Sequence, residues 1–175
     1  MSQSYEIDMC HGPLFGKIIR FSIPLMLSGI LQLLFNAADI IVVGRFVGST
    51  ALAAVGSTSS LINLLINLFI GFSVGANVLV ARFHGAGRDD EVNETVHTAI
   101  TLSVVSGIFL LILGVTVTRT LLIWMGSPDD VLDQSSLYLK IYFLAMPATL
   151  LYNFGSSILR AVGDTKRPLF YLVTA

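Results

Sequence analysis

The sequence predicts an all-α integral membrane protein with four transmembrane helices and the start of a fifth. Of its 175 residues, 54% are hydrophobic and 12% are charged, whereas a soluble domain has about 25% charged residues. The charges are also segregated, and none falls between Arg45 and Arg82, between Glu94 and Arg119, or between Lys140 and Arg160. Successive charge-free stretches of this length are typical of a multispanning membrane protein and argue against a soluble domain.

The first predicted span, residues 18–44, carries one carboxylate, Asp39, in otherwise uncharged sequence after Arg20. An ionisable group inside a bilayer costs at least ~2.5 kcal/mol, so such a residue is a candidate for a functional site. The polar residues Ser28, Gln32 and Asn36 precede it at helical spacing and share its face. Because lipid cannot satisfy polar groups, we expect this stripe to face other protein or a water-filled cavity.

Each of these polar residues also has a structural interpretation. Asp39 lies near the predicted end of the helix, where it could pair with Arg45 at the interface. Gln32 and Asn36 could equally serve as structural hydrogen-bonding groups. An ionised carboxylate among amide and carbonyl oxygens suits a cation such as Na⁺, and removal from water favours the neutral acid, so Asp39 is a candidate site for either H⁺ or Na⁺.

Further spans are predicted over residues 51–82, 95–125 and 128–161, and a last helix begins at residues 168–175. In the second span, Asn63 and Asn67 share a face with Gly71 and Gly75, a pair of small residues that permits close helix packing. The two asparagines are predicted either to bond a neighbouring helix or to contact a substrate.

The fourth span carries a polar stripe, and its cavity-lining candidates are Tyr142 and Thr149, followed by Asn153. For Tyr142 a packing role is the alternative.

Two polar segments complete the organisation. Residues 1–12 are predicted to form a cytoplasmic tail, and residues 82–94 to form the first extramembrane loop. Seven Lys and Arg residues fall on the side of the N-terminus and three on the other, so the positive-inside rule predicts a cytoplasmic N-terminus.

Three stretches carry a resemblance to a known family: residues 36–44 (NAADIIVVG), residues 80–87 (VARFHGAG) and residues 159–168 (LRAVGDTKRP). Together they resemble the multidrug and toxic compound extrusion (MATE) transporters. The resemblance implies a twelve-helix protein with two six-helix lobes, of which this chain would be a fragment of the N-terminal lobe. It also implies alternating access and export of cationic or amphipathic compounds in exchange for H⁺ or Na⁺. The family's ion-coupling carboxylate maps onto Asp39, and an asparagine near the cation site maps onto Asn153.

The expected setting is the inner (plasma) membrane of the cell, with the lipid bilayer, small amphipathic or cationic substrates and the rest of the transporter as partners. No enzyme activity, organic cofactor or nucleic-acid partner is expected, and no metal beyond Na⁺ at Asp39. One alternative is a flippase for lipid-linked oligosaccharide with a related two-lobe plan, although such a carrier would need intramembrane cations for pyrophosphate. The other is a small structural membrane protein that oligomerises, against which the unfinished fifth helix argues.

Overall fold

The computed structural model of the chain describes residues 7, 12, 14–42, 45, 49–126 and 129–174. Within these ranges the side chains of residues 14, 39, 49–52, 54–55, 57, 60–61 and 130 stand outside the description. The described residues form helices only: α1 (Leu14–Val42), α2 (Ser49–Gly85), α3 (Asp89–Trp124), α4 (Asp129–Ala161) and α5 (Lys166–Thr174). The described residues therefore contain the predicted series of four long helices followed by a short fifth helix.

Three of the described helices are long and apolar enough to cross a bilayer, over Phe15–Val42, Ile62–Gly85 and Asp89–Trp124. Helix α4 has 33 residues but is less apolar, because Asp129, Asp133 and Lys140 lie in its first half and polar residues interrupt the rest. Most large apolar side chains on α1 are exposed, as expected for a surface that faces lipid. The predicted all-α membrane fold is confirmed.

The connection predicted over residues 82–94 is shorter in the structure. Helix α2 continues to Gly85 and α3 already begins at Asp89, so only three residues separate them. The acidic residues Asp89, Asp90 and Glu91 form the first turn of α3, where carboxylates interact favourably with the positive end of the helix dipole. The predicted tail, residues 1–12, falls on residues of which only Ile7 and Gly12 are described.

Two glycines end helices in the same way. Gly87 and Gly163 have φ of 67° and 89°, a conformation that glycine adopts without steric cost. After α2, Arg88 N donates to Phe83 O at 3.0 Å, and after α4, Asp164 N donates to Leu159 O at 2.9 Å. These are the hydrogen bonds of a Schellman cap, which satisfies the last carbonyls of each helix.

The chain forms two compact units, and α1 to α4 each contribute residues to both. The first unit comprises residues 1–36, 72–100 and 153–175, and the second comprises residues 37–71 and 101–152. The second unit contains a cluster of buried apolar side chains from α2, α3 and α4: Ile62, Leu110, Leu122, Leu132, Leu139, Phe143, Met146 and Leu150.

Close helix packing in the second unit occurs at two glycines of α3. A Cβ added at Gly107 would lie 2.6 Å from the Cα of Pro147 on α4, and one added at Gly114 would overlap the ring of Phe143. By contrast, a Cβ at Gly71 or Gly75 would meet no described atom within 4 Å. The small-residue pair expected to pack closely is therefore open within the described chain, and α3 and α4 make the close approach instead.

Candidate functional site

A set of four polar residues joins α2 to α4 in the first unit. Ser73 Oγ donates to Asn153 O at 3.2 Å, and Ser157 Oγ donates back to Ser73 O at 2.9 Å. One turn further along α2, Asn77 Nδ2 donates to Ser157 O at 2.6 Å. We call Ser73, Asn77, Asn153 and Ser157 the polar ladder. Each helix contributes two residues four apart, so both members of each pair lie on one helix face.

The polar ladder is shielded from the surroundings. Ser73 and Ser157 are 4% and 8% exposed, and Asn77 and Asn153 are half-buried. Interhelical hydrogen bonds in membrane proteins contribute about 0.6 kcal/mol each on average. Sequence reasoning identified Asn153 but missed its partners, although the four-residue spacing of Ser73 and Asn77 in an apolar helix was a visible signal.

The candidate residues of α1 occupy different environments. Ser28 is buried and its Oγ donates to Pro24 O, one turn earlier in the same helix, at 2.8 Å. Gln32 and Asn36 are exposed. The backbone of Asp39 lies in the last two turns of α1, but its side chain stands outside the described residues. The roles assigned to Asp39 and Asn36, and the pairing of Asp39 with Arg45, stay predictions.

Two candidates in the second unit, Asn67 and Thr149, each donate a hydrogen bond within their own helix. Asn67 Nδ2 donates to Asn63 O at 2.8 Å, and both side chains are exposed. Thr149 Oγ1 donates to Ala145 O at 3.1 Å. Tyr142 is half-buried with its ring centroid 6.5 Å from that of Tyr138, and it packs against the apolar cluster. The cavity-lining roles of Asn63, Asn67, Tyr142 and Thr149 stay predictions as well.

A buried carboxylate in the turn between α4 and α5 was not anticipated from the sequence. Asp164 is fully buried, and its Oδ1 accepts hydrogen bonds from the backbone N–H groups of Lys166 and Arg167, both at 3.1 Å. Its Oδ2 lies 3.1 Å from Arg167 Nε, at ion-pair distance but without hydrogen-bond geometry. Asp164 therefore caps the N-terminus of α5 while its amide group completes the cap of α4.

The same turn contacts a described residue of the N-terminal segment. Ile7 N donates to Gly163 O at 3.3 Å, and a Cβ at Gly163 would come within 2.5 Å of Ile7 O. At this point the first unit needs glycine for two reasons, the positive φ and the close approach of the Ile7 backbone.

Long apolar helices that carry polar side chains within their spans define the class of the protein, a multi-pass helical membrane protein. Polar groups in such spans typically mark the path of an ion or a substrate. The chain matches the MatE family over residues 24–175 and belongs to that family.

Curated relatives are multidrug resistance or export proteins. The probable multidrug resistance protein YoeA of Bacillus subtilis is 35% identical over 155 residues, which cover 89% of this chain and 34% of that protein. The multidrug export protein MepA of Staphylococcus aureus is 24% identical, over 86% of this chain and 34% of that protein.

Solved structures show the same fold. An outward-facing multidrug resistance MATE family transporter of the MOP superfamily superposes with a TM-score of 0.86 at 26% identity, over 99% of this chain and 38% of that one. A second solved structure is a MOP superfamily transporter from Pyrococcus furiosus, for which reverse polarity of the binding pocket suggests a different function. It superposes with a TM-score of 0.83 at 29% identity, over 90% of this chain and 34% of that one. The chain thus spans about a third of the length of these proteins.

Proposed function

We propose that the transporter containing this chain exports cationic or amphipathic compounds by alternating access, in exchange for H⁺ or Na⁺. Membership of the MatE family and the multidrug transporters among its relatives support export of small molecules. The observation that carries the coupling role is Asp39, the one charged residue between Arg20 and Arg45 in a 29-residue apolar helix. A carboxylate in such a helix can release a proton or coordinate a cation, and either event changes its net charge in a medium of low dielectric.

The other proposed ion ligands are neutral. Asn36 and Asn153 supply amide oxygens, which are hard ligands suited to Na⁺ and can accept a hydrogen bond from a protonated carboxylate. Ser28, Gln32, Asn63, Asn67, Tyr142 and Thr149 are proposed to line the substrate path. Binding of H⁺ or Na⁺ at Asp39 then changes the charge of this side chain, and with it the relative free energies of the ion-binding and substrate-binding conformations. Ion and substrate therefore compete for one cavity or occupy it in turn.

We place this transporter in the plasma membrane with a cytoplasmic N-terminus. Support comes from the asymmetry of the cations, since Lys17, Arg20, Arg82 and Arg88 share a side with the basic residues of the α4–α5 turn. Arg119 and Asp133, an exposed ion pair at 3.1 Å, belong to the opposite side.

The experiment that tests the function is efflux of ethidium from cells that produce the intact transporter. Asp39→Asn removes the ionisable group and keeps the shape of the side chain, so ion-driven efflux is expected to fall to the level of cells without the transporter. Asp133→Asn is the matched control, because the same change there affects an exposed carboxylate whose surface ion pair contributes little. Equal efflux by both variants, at equal amounts in the membrane, would refute the role of Asp39.

The relative from Pyrococcus furiosus shows that this fold accommodates a binding pocket of another polarity. A flippase for lipid-linked oligosaccharide is therefore the second candidate. It requires cationic side chains facing the cavity to bind pyrophosphate, and no Lys or Arg occurs in residues 21–44, 46–81, 95–118 or 141–159.

A further inference from the structure

The polar ladder holds the backbone of α4 at two residues, Asn153 and Ser157, and the bond at Asn153 comes from Ser73. Ser73 Oγ bonds to the main-chain carbonyl of Asn153 itself, while Ser157 Oγ bonds to the main-chain carbonyl of Ser73. Ser73 therefore donates through its hydroxyl to α4 at Asn153 and accepts through its carbonyl from Ser157 of the same helix. Because both side chains are buried, water does not replace either bond.

A proline interrupts the hydrogen bonding of α4 before Asn153. Pro147 lies six residues earlier in the same helix and has no N–H group to bond the carbonyl one turn before it. A helix interrupted by proline bends more readily at that point. The bond from Ser73 therefore restrains the backbone that carries the Asn153 side chain, after the turn that Pro147 weakens.

We propose that Ser73 is a positioning residue for the coupling ion: it holds in place the α4 backbone from which the Asn153 amide reaches the ion. This inference rests on the proposed function, in which Asn153 supplies an oxygen to the ion. Ser73 does not touch the ion. Ser73 acts through the carbonyl of Asn153. Without the hydrogen bond from Ser73, the backbone that carries the Asn153 amide is less restrained when the amide binds the ion.

The test compares two serines of the polar ladder that each lose one interhelical hydrogen bond. Ser73→Ala removes the bond from Ser73 Oγ to Asn153 O, whereas Ser157→Ala removes the bond from Ser157 Oγ to Ser73 O and leaves Asn153 O bonded to Ser73. In the intact transporter, reconstituted in vesicles, the measurement is the Na⁺ concentration, and separately the pH, at which ethidium transport is half-maximal. Asn153→Ala is the reference variant, and thermal unfolding of each purified protein measures its stability.

We expect both serine variants to lose similar stability, but only Ser73→Ala to shift half-saturation by the ion, by about threefold, the effect of one interhelical hydrogen bond. Ser73→Thr, which keeps the hydroxyl, should restore the wild-type value. Equal shifts in Ser73→Ala and Ser157→Ala, or no shift in either, would overturn the inference. If Asn153→Ala leaves the ion dependence unchanged, or the wild-type protein shows none, then the proposed function itself fails.

Discussion

Asn77 Nδ2 on α2 lies 2.6 Å from the main-chain oxygen of Ser157 on α4 and donates a hydrogen bond to it. An amide in an apolar helix has few other acceptors, because lipid offers none. This bond therefore contributes to the packing of α2 on α4 as well as satisfying a polar side chain.

Asn77→Ala should destabilise the intact transporter by ~0.6–1.7 kcal/mol, the range measured for interhelical hydrogen bonds in membranes. Asn67→Ala is the control, since the Asn67 amide bonds within α2 and is exposed. Thermal unfolding of the purified protein in detergent provides the comparison. Equal melting temperatures for the two variants would show that the Asn77 bond adds nothing to the packing.

Gly114→Ala should be destabilising by ~1–3 kcal/mol, because its methyl group would overlap the ring of Phe143 in a packed core. Gly75→Ala should be neutral or stabilising, since no described atom lies within 4 Å of the new methyl group and alanine favours helix by ~1 kcal/mol over glycine. The same unfolding measurement distinguishes them. Combining Gly114→Ala with Phe143→Leu should recover part of the lost stability. Equal melting temperatures for Gly114→Ala and Gly75→Ala would contradict the α3–α4 contact.

Asp164→Ala should destabilise the α4–α5 turn by ~1–2 kcal/mol, through loss of the cap on the N–H groups of Lys166 and Arg167. Asp164→Asn keeps an oxygen that can cap the helix, so it should cost less and lose chiefly the ion pair with Arg167. Proteolysis of the native protein at this turn reports the local effect. An asparagine variant cleaved as fast as the alanine variant would assign the stabilisation to charge instead of capping.

A cytoplasmic N-terminus predicts that Cys10 is protected in intact cells. In a transporter whose one cysteine is Cys10, a membrane-impermeant maleimide should label the protein only after the membrane is permeabilised. A second variant with its one cysteine in place of Asp133 should be labelled in intact cells. The reverse pattern would invert the topology and with it the direction assigned to transport.

The helices could be predicted from the sequence because apolar length and segregated charge depend on local composition alone. The sequence does not predict which helix faces pack against each other. Gly71 and Gly75 have the spacing of a close-packing pair, yet Gly107 and Gly114 make the close approach, since Pro147 and Phe143 of α4 supply the complementary surface. Spacing identifies a face of a helix, whereas the partner of that face depends on the rest of the fold.

Among the polar residues, too, some features depend on the local sequence and others on the rest of the fold. Asp39 stands out in the sequence because a carboxylate in an apolar span is costly wherever its neighbours lie, and its role in ion coupling stays a prediction. Asp164 appeared to be an ordinary loop residue among Lys166 and Arg167. Its burial arises from two helix ends that meet at one turn, and this is a tertiary feature.

The most direct test of ion coupling at Asp39 is ethidium transport by the purified intact transporter in vesicles with an imposed H⁺ or Na⁺ gradient and no other energy source. Wild-type protein and Asp133→Asn should move ethidium against its gradient, and the movement should stop when the ion gradient is collapsed with an ionophore. Asp39→Asn should show no gradient-driven transport. Uphill transport by Asp39→Asn at the wild-type rate would contradict the account.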